Sequence, residues 1–93
     1  MSTFSIRNAP AEAKSWFITI YPASGAPILP PATLPLTAGA QLDVPAGTYP
    51  RILVIANTSA PGTAEAYLDA REVKGQALGS SNYTFDWMTG RFS

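Results

Sequence analysis

Six carboxylates, Glu12, Asp43, Glu65, Asp69, Glu72 and Asp86, are the residues of this chain with the clearest chemical potential. Two carboxyl groups about 5 Å apart can cleave a glycoside, but these acids are scattered and read as solvated surface. There is no histidine and no cysteine. Their absence removes the commonest general base, the commonest metal ligand and every thiol mechanism. A serine–lysine pair at helical spacing is missing too, because Ala11 stands three before Lys14 and Arg71 three before Lys74. Neither an Asp-x-Asp calcium loop nor a glycine-rich phosphate loop occurs. The expectation is a protein that is not an enzyme and that carries no cofactor and no metal.

The aromatic residues are the second group. In "NYTFDWMTGRF" (82–92), Tyr83, Phe85 and Trp87 stand two apart, so on a strand their rings leave from one face. They are either core or a platform for a partner. Inverting the strand would bury Asn82, Thr84 and Asp86 together, each needing its own hydrogen-bond partner. Packing is therefore the expected role, with Asn82, Thr84, Asp86 and Met88 facing water. By the same logic Trp16, Ile18 and Ile20 point inward, which turns Phe17, Thr19 and Tyr21 outward. Tyr49, Tyr67 and Phe92 fall in or near turns or on an outer face. The candidate binding residues are Phe17, Tyr21, Tyr67, Asp69, Arg71 and Trp87. As a sugar-binding set, the rings of Phe17, Tyr21, Tyr67 and Trp87 would stack, with Asp43, Asn57, Asp69 and Arg71 as hydroxyl partners.

The elements that must position these side chains are short. Nine prolines all precede residue 62, and no gap between them exceeds eleven residues. Proline in a helix interior costs about 3 kcal/mol, so long helices are excluded there and strands fit the gaps. "TFSIR" (3–7) and "SWFITIY" (15–21) alternate as strands do, and "AQLDV" (40–44) is closed by Pro45, Ala46 and Gly47. "RILVIAN" (51–57) is apolar on both faces, the pattern of a central strand buried on both sides. "LPPATLPL" (29–36) reads as an extended edge crossing between sheets.

"TAEAYLDAREVKG" (63–75) has strong helix formers and a glycine placed as a C-cap. Its helical face fails, since Tyr67 and Leu68 are followed by charges with only Ala70 among them. The preferred reading is a half-buried outer strand with Ala66, Leu68 and Ala70 inward and an Asp69–Arg71 pair on the solvent side. One short helix near 63–74 is the alternative. Turn signals about every ten residues make the fold all-β: a small antiparallel β-sandwich of six or seven short strands, one domain over 1–93. The turns "YPASGAPI" and "VPAGTYP" resemble those of Ig-like and prealbumin-like Greek-key sandwiches.

Six basic residues balance six acidic ones, so the net charge is zero. Arg7, Lys14, Arg51, Arg71, Lys74 and Arg91 are spread evenly, which argues against nucleic acid as a partner. The longest apolar run, "ILVIA" (52–56), is far short of a membrane span. The N-terminus lacks a basic start and a long apolar stretch, so the chain is expected to be made in the cytoplasm without a signal peptide. The sequons at Asn57 and Asn82 then read as chance. Only 13% of residues are charged, about half the usual share, and such a surface tends to be covered. The expected function is a non-catalytic structural module working by protein–protein contact or self-association, of the kind found as decoration, cement or tail components of a virion. The alternative is a carbohydrate-binding module.

Overall fold

A computed structural model of the chain describes residues 1–30 and 33–93. Eight strands follow one another: β1 (Ser2–Arg7), β2 (Ser15–Tyr21), β3 (Leu34–Pro35), β4 (Ala40–Leu42), β5 (Gly47–Asn57), β6 (Tyr67–Leu78), β7 (Asn82–Asp86) and β8 (Arg91–Phe92). They make two four-stranded sheets, β4-β1-β7-β8 and β3-β2-β5-β6. No helix occurs among the described residues, and none is therefore long and apolar enough to cross a membrane. The architecture is all-β and consistent with a small sandwich.

Alternation builds the core. In β2, Trp16, Ile18 and Ile20 are fully buried, and they lie opposite Ala56, Val54 and Ile52 of β5, also fully buried. Directly opposed residues share a face, so these six side chains form one apolar layer. Phe4, Phe85, Trp87 and Leu42 supply the facing layer from the other sheet, within a single buried cluster. Phe4 stacks on Tyr83 with centroids 5.5 Å apart, and Phe85 meets Phe92 at 5.2 Å and Trp87 at 6.2 Å. The rings of the C-terminal strand thus pack inward. The Trp16 indole N–H donates to Pro35 O at 3.0 Å, which ties β2 to its edge neighbour β3. Of the stretch 29–36, Leu34–Pro35 form the edge strand β3 before the chain enters the other sheet at β4, and residues 31 and 32 lie outside the described residues.

Several expectations need correction. The strands number eight, and β1 pairs with β7 in parallel, so the first sheet is mixed rather than antiparallel. A parallel pair requires a long connection, and here nearly the whole chain supplies it. The short helix near 63–74 is absent: residues 67–78 are a strand paired along β5. Gly75 does adopt the left-handed backbone that suggested a helix cap, with φ at +64°, but within β6, beside Pro50 on β5. A proline cannot donate to the ladder, and the unpaired step falls where glycine can bend.

The facing of β6 is reversed from Asp69 onward, whereas Leu68 packs on the core and Tyr67 is exposed, as expected. A bulge opposite Ala56 and Asn57 shifts its phase, so that Asp69 opposes Ala56 and Arg71 opposes Val54 on the inward face. Ala70 opposes Ile55 on the outer one. Tyr49 is buried, its hydroxyl donating to Pro45 O, and Phe92 packs on the core. Asp86 is 7% exposed rather than open to water, and Leu53 and Ile55 are only half-buried because β5 is covered on one side alone.

Candidate functional site

The two sheets differ on their outer faces. On the first sheet the outward positions are Thr3, Ser5 and Arg7 of β1 and Asn82, Thr84 and Asp86 of β7, with Ser5 and Thr84 hydroxyls 3.1 Å apart. That face is polar throughout. On the second sheet the outward rows are Phe17–Ile55–Ala70, Thr19–Leu53–Glu72 and Tyr21–Arg51–Lys74, read across β2, β5 and β6. Phe17, Leu53, Ile55 and Ala70 are half-buried, and no strand or helix among the described residues lies over them. Thr19, their polar neighbour, is hidden between them at 5% exposure. An apolar strip therefore runs across three strands on the solvent side.

A charged cluster ends the strip. Arg51 Nε donates to Glu72 Oε2 at 2.8 Å, and Lys74 Nζ lies 3.6 Å from Glu72 Oε1. The Arg51 guanidinium also sits 4.6 Å from the centroid of the Tyr21 ring, a cation–π contact that occupies one face of that ring. The bond from Arg51, with the nearby positive charges, holds the Glu72 carboxyl below its ordinary range.

A second group lies at the rim between the sheets. Trp87 is 4% exposed, and the Arg71 guanidinium covers its ring at 4.5 Å from the centroid. Arg71 Nη1 in turn donates to Asp69 Oδ2 at 2.6 Å. Beside them, the Asp86 carboxylate receives Asn8 Nδ2 at 3.1 Å, the Met88 N–H at 3.0 Å and Arg7 Nε at 3.2 Å. It joins the end of β1 to the turn that carries Trp87, whose own N–H donates to Arg7 O at 3.0 Å.

These carboxylates act as acceptors. The hydrogen bond from Asn8, then that from the Met88 N–H and the charge of Arg7, hold Asp86 below the usual carboxylate range; Arg71 and the Ala70 N–H do the same for Asp69. A general acid needs the opposite shift. Among the described residues no group of three or more acids, histidines or cysteines could hold a metal ion.

A pH dependence follows. The folded values lie below the unfolded ones, so in that range the unfolded chain binds more protons than the folded one. The stability contributed by Asp69, Glu72 and Asp86 is complete above the ordinary carboxylate range, about pH 4, and is lost as pH falls through the folded values. The melting temperature should hold from pH 7 to about 5 and fall below about 4. Asp86→Asn should make that acid fall shallower, and an equally steep fall would show that the Asp86 bonds contribute little.

The residues singled out from sequence do not form one site. Phe17 and Tyr21 share the outer face of the second sheet, Asp69, Arg71 and Trp87 meet at the rim, and Tyr67 stands 68% exposed at the start of β6. Asp43 is exposed beyond β4, and Asn57 is fully buried, beyond the reach of a sugar hydroxyl. Leu53, Ile55, Arg51 and Glu72 complete the outer face and were not foreseen there. For Arg51, Leu53 and Ile55 the signal is "RILVIAN", apolar at both alternations, a pattern that a second covering layer would equally produce; Glu72 has no such signal. Comparison of the chain with family models, with curated proteins and with solved structures gives no match.

Proposed function

We propose that this domain is a non-catalytic assembly module that binds a protein partner, or further copies of itself, through the outer face of the second sheet. The observation that carries the reading is the contrast between the two outer faces, one polar throughout and one with Phe17, Leu53, Ile55 and Ala70 as a continuous strip. The low share of charged residues, 13%, supports it. A subunit of a larger particle such as a virion is the setting such a module suits. An Ig-like or prealbumin-like Greek key belongs to the same proposal, since the chain changes sheet between β1 and β2, β3 and β4, β4 and β5, and β6 and β7.

Ile55→Asp tests it. An unpaired charge at the centre of an interface should weaken association about 100-fold or more. The residue points outward, so the folded domain should lose only about 1 kcal/mol. Sedimentation of the native and variant chains across micromolar concentrations, alone and with the isolated native particle or complex, gives the readout. A native chain that stays monomeric and binds no larger particle would sink the proposal.

The carbohydrate alternative rests on one observation, the 68% exposed Tyr67 ring, with Phe17 as a second platform. Trp87 no longer offers a free face under Arg71. A glycan array silent across plant, bacterial and animal sugars removes that reading.

A further inference from the structure

β6 is twelve residues long and its far side has no neighbour, whereas the other sheet edges, β3, β4 and β8, have two, three and two residues. A free edge of that length presents a row of N–H and C=O groups with which another extended chain can pair. At Ala70 the row is closed. The Ala70 N–H donates to Asp69 Oδ1 at 2.8 Å, and Ala70 O accepts from Arg71 Nη1 at 3.0 Å. The two side chains are themselves joined at 2.6 Å, and Arg71 is seated on the Trp87 ring. Ile20 spends its N–H and O on Ile28, so Phe17, Thr19 and Tyr21 face β5 and bond Ile55, Leu53 and Arg51; Ile52, Val54 and Ala56 then face β6, and Ala70, opposite Ile55, directs both of its groups away from β5. By the two-residue period, Glu72 and Lys74 present theirs at the same edge, and among the described residues no side chain bonds to them.

We propose that the Asp69–Arg71 pair is an edge guard that weakens pairing of β6 with β6 of a second copy by withholding Ala70, and that releasing it completes a two-fold antiparallel ladder centred on Val73, in which Ala70 bonds Gln76 of the second copy at both ends. This surface is distinct from the outer face proposed above for docking, and it does not depend on that reading. The occupant and register follow from charge. A two-fold axis normal to the sheet sets residues of the same face opposite each other. Centring on Arg71 or on Glu72 brings like charges together on the axis. Centring on Ala70 works only by exchanging the Asp69–Arg71 bonds between copies, and is lost with Asp69. Centring on Val73 sets Val73 against its own copy and Glu72 against Lys74 of the second copy, twice.

Asp69→Ala in the full chain, followed by sedimentation equilibrium and residue-resolved amide exchange, tests this. The variant should dimerise at least about tenfold more tightly than the native chain, with exchange at Glu72 and Lys74 slowing as concentration rises. Adding Glu72→Lys places lysine against Lys74 of the second copy and should abolish the gain; adding Lys74→Glu as well should restore it. In the native chain, which needs no folded variant, the Ala70 amide should exchange at least about tenfold more slowly than those of Glu72 and Lys74, after correction for intrinsic rates. An Asp69→Ala chain that stays monomeric overturns the proposal, whether or not it captures an unrelated extended peptide. So do a dimer indifferent to Glu72→Lys and equal exchange at Ala70, Glu72 and Lys74.

Discussion

Trp87→Ala is expected to lower the unfolding free energy by about 3–5 kcal/mol, the usual cost of removing a large buried aromatic. A domain of 93 residues has about 5–14 kcal/mol in all, so the variant should be close to unfolding at body temperature. The size of the effect follows from what the ring does. It is 4% exposed, meets Phe85 edge-on at 6.2 Å, and carries the Arg71 guanidinium on its outer side. Removing it opens a cavity at the rim of the sandwich and leaves Arg71 without its seat. A cavity there has little chance to collapse, because the backbone N–H of residue 87 stays bonded to Arg7 O and holds the turn in place. Arg91→Ala, at an exposed position on β8, is the control and should change stability by no more than about 0.5 kcal/mol. Urea melts of the three proteins decide it, and an unchanged midpoint for Trp87→Ala would contradict the packing of this ring.

The sequence foretold the parts of the fold that depend on alternation over short stretches. Trp16, Ile18 and Ile20 on one side and Phe17, Thr19 and Tyr21 on the other need only a period of two, and the structure keeps both sets as read. The parallel pairing of β1 with β7 joins Thr3 to Asn82 across most of the chain, and no local pattern reports a partner so distant. The facing of β6 failed for a different reason. A single extra residue at the bulge reverses every side chain beyond it, and the strand's mixed composition gave no hint of that step. Gly75 has the left-handed backbone that its C-cap spacing predicts, but within a strand rather than at a helix end.

The candidate site was half legible in the same way. Leu53 and Ile55 announce themselves as apolar residues at outward alternations. Sequence cannot show whether a layer covers them; a parallel sheet between helices and an uncovered docking face have the same local composition. The Asp69–Arg71 clamp was visible as an ion pair two residues apart. Its aim at the Ala70 backbone depends on which side of β6 is free, and that is a property of strand order alone.

Trp16 separates the contribution of core packing from that of a single hydrogen bond, and it tests how the outer face is supported. The side chain is fully buried, its indole N–H donates to Pro35 O, and its backbone pairs with Leu34 on one side and Ala56 on the other. Trp16→Ala should cost about 3–5 kcal/mol through the cavity it leaves among Ile18, Val54 and their neighbours. Trp16→Phe keeps much of the volume but leaves the Pro35 carbonyl without its donor, and should cost about 1–3 kcal/mol. A Phe variant as stable as the native chain would show that the bond to β3 adds nothing. Phe17 leaves the same strand on its opposite face, so loosening β2 from below also displaces the apolar strip above it. Trp16→Ala should therefore lose association together with stability, in parallel as temperature rises, while Ile55→Asp should lose association already at temperatures well below a melting point lowered by only about 4–8 °C. If Trp16→Ala retained native association at a temperature where half of it is unfolded, the docking face could not lie on the sheet that β2 and β5 hold together.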